Sequence, residues 1–255
     1  MNPEKLSQRF ADHVVVMDGA MGSELLQRLP EDSRMDVAAH EHPQTVLDIH
    51  LAYIEAGAEL IETATFGSSR PRLDRAKCGD LTDSVNANAV KLAREAREIS
   101  GRDVLIGGSI APLAGVLDLD EPEGRTVIPQ AHAEQAAILA GRGADLLILE
   151  TFFRVDEMAA AVAAIRDVTD LPIIGMMTFA HERPPHPYEE QAELLDELAE
   201  LDLVAVGVNC SPGPMVALEI LRLVRQVKVP LEASPNGGNL VLREGRILIP
   251  PSTPS

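Results

Sequence analysis

The chain has 255 residues, 45% hydrophobic and 24% charged, which is enough for one large core and excludes wholesale disorder. A formal net charge of -18 repels phosphate backbones and anionic lipid, so neither nucleic acid nor a membrane surface is an expected partner. Cys78 and Cys210 are the only cysteines, Met1–Phe10 carries no signal-type apolar stretch, and no apolar run approaches about 18 residues. A reduced, cytoplasmic setting is therefore expected.

In chain order, short apolar runs alternate with helical patterns. Seven runs read as buried parallel strands: Val14–Met17, Leu60–Thr65, Val104–Ile106, Leu146–Leu149, Ile173–Met177, Val204–Val208 and Pro230–Ala233. Pro43–Ala56 repeats Val46, Ile49, Tyr53 and Ala56 near helical spacing and stops at Gly57. Thr82 is placed to cap a helix whose buried face holds Val85, Ala89, Leu92, Ala96 and Ile99, ending at Gly101. Asp156–Val168 and Pro214–Val227 repeat the arrangement, and Arg183–Tyr188 reads as a Pro-rich loop. Unbroken strand–helix alternation predicts one α/β domain over residues 1–255, a (β/α)8 TIM-type barrel rather than a doubly wound sheet. Asp18-Gly-Ala-Met-Gly-Ser23 lacks the Gly-x-Gly-x-x-Gly spacing of a dinucleotide fold.

Chemistry in such barrels sits where strands end. Those positions hold Asp18 and Gly19, Thr63 and Thr65, Ser109, Glu150 and Thr151, Thr178, Asn209 and Cys210, and Asn236. Period two puts Leu146, Ile148 and Glu150 on one face, so an inward Leu146 makes Glu150 a carboxylate at the rim. Acids there suit an ammonium group, while hydroxyls and loop N–H groups suit a carboxylate. An amino acid is the ligand class this chemistry favours. Simpler roles stand beside these: Asp18 as a cap of the next helix, Glu150 as a partner of Arg154, Thr63 and Thr65 as ordinary strand residues, and Cys210 as an inert buried thiol. Cys78 reads as incidental. His40, His42, His50, His181 and His186 form no compact ligand motif. A Schiff-base enzyme is disfavoured, because none of Lys5, Lys77, Lys91 and Lys228 falls at a strand's C-terminal end.

Seven segments in register carry a resemblance: Asp18-Gly-Ala-Met-Gly22, Glu62-Thr-Ala-Thr-Phe-Gly67, Gly107-Gly-Ser-Ile-Ala-Pro112, Leu149-Glu-Thr-Phe152, Met177-Thr-Phe179, Gly207-Val-Asn-Cys210 and Ser234-Pro-Asn-Gly237. Together they resemble the homocysteine S-methyltransferase family. The resemblance implies methyl transfer to the thiol of homocysteine, giving methionine. It implies that Asp18, Gly19 and Glu150 hold the amino-acid end, with Thr63, Thr65, Ser109 and Asn209 lining the pocket. It also implies that Cys210 is one of three thiolate ligands to Zn2+, whose open position binds and ionises the substrate thiol. The family's other two ligands are adjacent cysteines in a Gly-Gly-Cys-Cys motif on the eighth strand, and this sequence holds no such motif.

The expectation is thus a barrel truncated after its seventh strand with an incomplete zinc site. Its open edges would be completed by another copy or another chain. A catalytically silent member that binds an amino acid or a partner subunit is the competing expectation. The methyl donor is left open, since betaine, S-methylmethionine, S-adenosylmethionine and methylcobalamin all serve relatives.

Overall fold

The computed structural model describes residues 3–179, 188–211, 213–237, 241–243 and 246–248. Six parallel strands form one sheet in sequential order: β1 (Leu60–Glu62), β2 (Leu105–Ile110), β3 (Leu146–Phe152), β4 (Ile173–Met177), β5 (Ala205–Asn209) and β6 (Leu231–Ser234). The sheet curls into a half-barrel. Helices α4 (Pro43–Ala56), α6 (Thr82–Ser100), α7 (Pro122–Arg142), α8 (Val155–Arg166), α9 (Tyr188–Leu198) and α10 (Pro214–Leu223) lie between successive strands or lead into the first. The chain is therefore an α/β protein with a partial TIM-type barrel. Thr82 does not cap α6: its hydroxyl donates to Gly79 O at 2.7 Å, and Leu81 occupies the N-cap position. Val85, Ala89, Leu92 and Ala96 are buried as their spacing predicts, whereas Ile99 is 60% exposed on the last turn. The loop expected at Arg183–Tyr188 lies, up to residue 187, outside the described residues, as do His181 and His186.

Period two separates two cores. One set of alternating side chains, Leu60, Leu105, Leu146, Ile148, Ile174, Met176 and Ala205, fills the concave interior. The opposite set, including Ile61, Ile106, Leu147, Leu149, Ile173, Met177, Val206 and Val208, packs against the helices. Helix α1 (Pro3–Asp12) adds Leu6 to the interior cluster, fully buried, with Phe10 packed beside it. Burying a leucine-sized side chain contributes roughly 1.5–3 kcal/mol, so α1 is part of the barrel's filling.

The first run behaves differently from the other six. Val14–Met17 makes only a single parallel bridge, Met17 to Leu60, with Val16 O accepting from Glu59 N at 2.8 Å and Leu60 N at 3.2 Å. Val14 and Val16 are 87% and 53% exposed. Among the described residues no strand pairs with its other side, nor with the outer side of β6, where Leu231 is 46% exposed. Val241–Arg243 and Arg246–Leu248 form β7 and β8, a separate antiparallel hairpin.

Gly207 on β5 matters for what the interior can hold. A Cβ there would lie 2.4 Å from the backbone oxygen of Glu232 on the paired strand, a contact that no rotamer change relieves. Gly207→Ala is expected to destabilise the fold by about 1–3 kcal/mol, read as a lower urea midpoint at unchanged slope.

Candidate active site

The site forms where β1, β2, β3, β5 and β6 end, and Glu150 lies at its centre. With Leu146 and Ile148 in the interior cluster, Glu150 follows on the same side of β3. Ser109 Oγ donates to Glu150 Oε1, and Asn209 Nδ2 donates to Oε2 at 3.1 Å. Arg154 is not its partner. That guanidinium is spent on Asp120 and Asp156, at 2.9 Å and 2.6 Å.

Immediately after Glu150 the pairing of β3 with β4 slips between Leu149 and Phe152. Thr151 sits at φ 64, and across the mouth Cys210 sits at φ 49. Left-handed backbone at a β-branched residue is a steric outlier that costs on the order of 1–3 kcal/mol. Asn209 clamps the strained pair. Its Oδ1 accepts from Thr151 N at 2.8 Å, and its Nδ2 donates to Thr151 Oγ1 at 2.8 Å. Thr151 Oγ1 in turn donates to Cys210 Sγ at 3.6 Å, and Cys210 O accepts from Thr178 Oγ1 and Asn236 Nδ2, each at 3.3 Å. Cys210 lies on the exposed rim, with its sulfur turned against Thr151 and Asn209.

Asp18 does not cap the following helix α2 (Met21–Arg28), which has no side-chain cap. Its Oδ2 instead accepts from Glu62 N at 3.0 Å, joining the first run to β1. Gly19 is exposed beside Tyr53, and a Cβ there would fall 2.9 Å from the phenol oxygen. Thr63 and Thr65 are buried and occupied. Thr63 Oγ1 donates to Thr65 Oγ1 at 2.7 Å, Thr65 Oγ1 donates to Ser109 O at 2.7 Å, and Ser109 N donates to Thr63 Oγ1 at 3.1 Å. Both hydroxyl protons are thus used inside the protein. The pair fixes Ser109, which in turn holds Glu150.

Two acids that the strand-end reading passed over complete the mouth. Glu62 closes β1 on the same parity as the interior Leu60, and Glu232 on β6 faces Gly207 of β5. Glu62 and Glu150 share a carboxyl–carboxylate hydrogen bond. Burial, then the charges of Glu150, Asp18, Glu232 and Cys210, hold Glu62 well above the usual carboxylate range. Asp18 is also held well above it, by burial and by Glu150, against the pull of its bond from Glu62 N. Burial raises Glu150 too, but hydrogen bonds from Ser109, Glu62 and Asn209 oppose the rise. Glu232 is pushed up to about 8, mainly by burial and also by Glu150, against its hydrogen bond with Ser234. Four carboxyls this close cannot all ionise, and the one with most donors keeps the charge. Glu150, with donors on both oxygens, is the member of the set best stabilised as an anion, and Glu62 the one most strongly held towards its neutral form. Burial and Glu150 raise the Cys210 thiol.

Residues 15–250 match the family model described as homocysteine S-methyltransferase. The S-methylmethionine–homocysteine S-methyltransferase BHMT2 of Pongo abelii is 29% identical over 190 residues, covering 74% of this chain and 49% of that protein. Methionine synthase of Mycobacterium tuberculosis is 29% identical over 253 residues, covering 93% of this chain and 21% of that protein. This chain thus spans about half the length of the first relative and about a fifth of the second. The apo form of the homocysteine methyltransferase MmuM from Escherichia coli superposes with a TM-score of 0.69 at 25% identity, covering 93% of this chain and 87% of that one. Its metallated form shares the fold at a TM-score of 0.73 and 24% identity.

Proposed function

This chain belongs to the homocysteine S-methyltransferase family, and from that premise we propose that its barrel domain binds homocysteine at the acidic mouth and carries methyl transfer to the homocysteine thiol. The observation that carries the reading is the Glu150 carboxylate, held from both oxygens by Ser109 and Asn209 with no cation of the chain paired to it among the described residues. A buried anion already oriented by neutral donors is a receptor for an ammonium group. In this reading Asp18 is the second acid near the amino group, and the Asp18–Gly19 turn approaches the substrate's carboxylate end. Thr63 and Thr65 act by fixing Ser109, and Cys210 stands at the thiol end.

Zinc held in the family's manner does not fit the described residues. The mouth offers one thiol, Cys210. Cys78 is buried in a separate cluster with Val37, Leu73 and Val85, and no group of three His, Cys, Asp or Glu residues is arranged to hold a metal ion among the described residues. In this reading a further parallel strand would join the free edges at Met17 and β6. A reducing, cytoplasmic setting is part of this reading, with Cys78 and Cys210 both free thiols. No helix of the described residues is long and apolar enough to cross a membrane.

The test is methionine formation from homocysteine with betaine, S-methylmethionine, S-adenosylmethionine and methylcobalamin supplied in turn. Formation with one donor, abolished by excess methionine at the site, is the expected result. No methionine with any of the four overturns the catalytic part of the reading.

A further inference from the structure

Glu232 is a cost that the fold does not need. It stands on β6 directly opposite Gly207, on the side of the sheet that faces the interior. The missing side chain at Gly207 makes room for it: a Cβ there would lie 2.7 Å from Glu232 Oε2. Ser234, next on the same face, donates its hydroxyl to Oε1. Oε2 is shielded from solvent and has no hydrogen-bond partner. A buried carboxyl oxygen left without a partner is destabilising, and an apolar residue would fill the position at less cost. Glu62 from β1, Glu150 from β3, Asp18 from the first run and Cys210 beyond β5 surround the same mouth, and Glu150 is the one whose charge bears on Glu232.

We propose that Glu232 is a catalytic residue of this chain, the base whose Oε2 takes the proton from the acceptor's thiol as the methyl group arrives. The assignment rests on the homocysteine reading above. An alkyl thiol has a pKa of about 8.5, and only its conjugate base is a good nucleophile. One thiol at the mouth, itself raised by burial, does not ionise a second. In the step, a sulfur lone pair forms the bond to the methyl carbon. The bond from that carbon to its carrier breaks with both electrons leaving on the carrier, and the S–H proton passes to Oε2. Two methylenes separate the thiol of homocysteine from the carbon bearing its ammonium. Glu232 on β6 and Glu150 on β3 stand on the same interior side of the sheet, on different strands, so one can face the thiol end of such a ligand while the other holds its ammonium. Its carboxyl titrates near 8, close to the thiol it would serve.

The test needs no knowledge of the natural donor. Wild type and E232Q, each in excess over homocysteine, are mixed with methyl iodide, and methionine is measured in a single turnover. E232Q is expected to lose about 100-fold in rate, at the lower end of general-base contributions, while its homocysteine affinity changes by less than about threefold. The wild-type advantage over E232Q should be largest near and below about 8 and shrink at higher pH, where the substrate thiol ionises without a base. With selenohomocysteine, whose selenol is already ionised, the two rates should converge. Equal rates with homocysteine overturn the proposal, and so does a loss that persists undiminished with selenohomocysteine, since that would mark a structural role. Wild type that fails to bind homocysteine at all refutes the underlying reading, an outcome separate from either of these.

Discussion

Replacing Glu150 by alanine is expected to weaken homocysteine binding by at least about a hundredfold. Removing one partner of a buried ion pair costs about 3–5 kcal/mol, and each 1.4 kcal/mol is a factor of ten in affinity. The carboxylate is placed for this role by two neutral donors, Ser109 and Asn209, which orient it without neutralising it. Glu150→Gln separates charge from shape: it can keep one acceptor for Ser109 or Asn209 while losing the negative charge. Both variants should bind homocysteine weakly in a calorimetric titration, and E150Q should remain as stable as wild type, because one member of a crowded acid cluster has been discharged. Affinity within threefold of wild type in both variants would mean that the ammonium sits elsewhere.

The same cluster should make the protein lose stability as pH rises from about 6.5 to 8.5. Asp18, Glu62, Glu150 and Glu232 all have folded-state pKa values above those of free carboxyls. The folded state therefore holds more protons than the unfolded chain, and stability has a negative slope against pH. This contribution is complete below the unfolded carboxyl value and is lost as pH climbs through the folded value, which for Glu232 is about 8. One fully titrating group gives a slope of about 1.4 kcal/mol per pH unit, and Glu232, being only partly shielded as a residue, contributes less than that. His50 is buried and lowered to about 4, so it acts in the opposite sense: its contribution is lost as pH falls from its unfolded value toward 4. The interval above 6.5 isolates the acids from that effect. Urea midpoints should fall across it, less so in E232Q, and midpoints that rise or stay level in wild type would contradict the cluster's assignment.

Some of this could be read from the chain directly, and the reasons differ by element. Helix α4 has the predicted bounds, Pro43–Ala56, because Pro43 opens it and Gly57, at φ 112, closes it. Five of the strand runs have side chains covered on both faces, and β-branched and leucine residues mark them well. Val14–Met17 carries the same composition but lacks a second neighbour, which composition does not record. Helix α1 has no mark of its own in the sequence, because its task, placing Leu6 in the barrel interior, is tertiary.

At the site the gap is one of parity. In Leu60-Ile-Glu-Thr-Ala-Thr65, either alternating set can face inward, since both faces of a barrel strand are buried. The reading favoured Thr63 and Thr65, whereas the fold turns Leu60 and Glu62 inward and uses the threonines to brace Ser109. Glu232 carried a signal that went unused, a charged residue inside an otherwise apolar run. The left-handed pair Thr151 and Cys210 left no such mark, because nothing in either residue's chemistry announces a positive φ.

The most direct test of the account is a pair of calorimetric titrations, one with homocysteine and one with 4-mercaptobutyrate, which keeps the thiol and carboxylate and lacks the amino group. Homocysteine is expected to bind, and the deaminated analogue to bind at least about a hundredfold more weakly, matching the loss of a buried ammonium–carboxylate pair. Equal affinity for the two, or no binding of homocysteine, would contradict it.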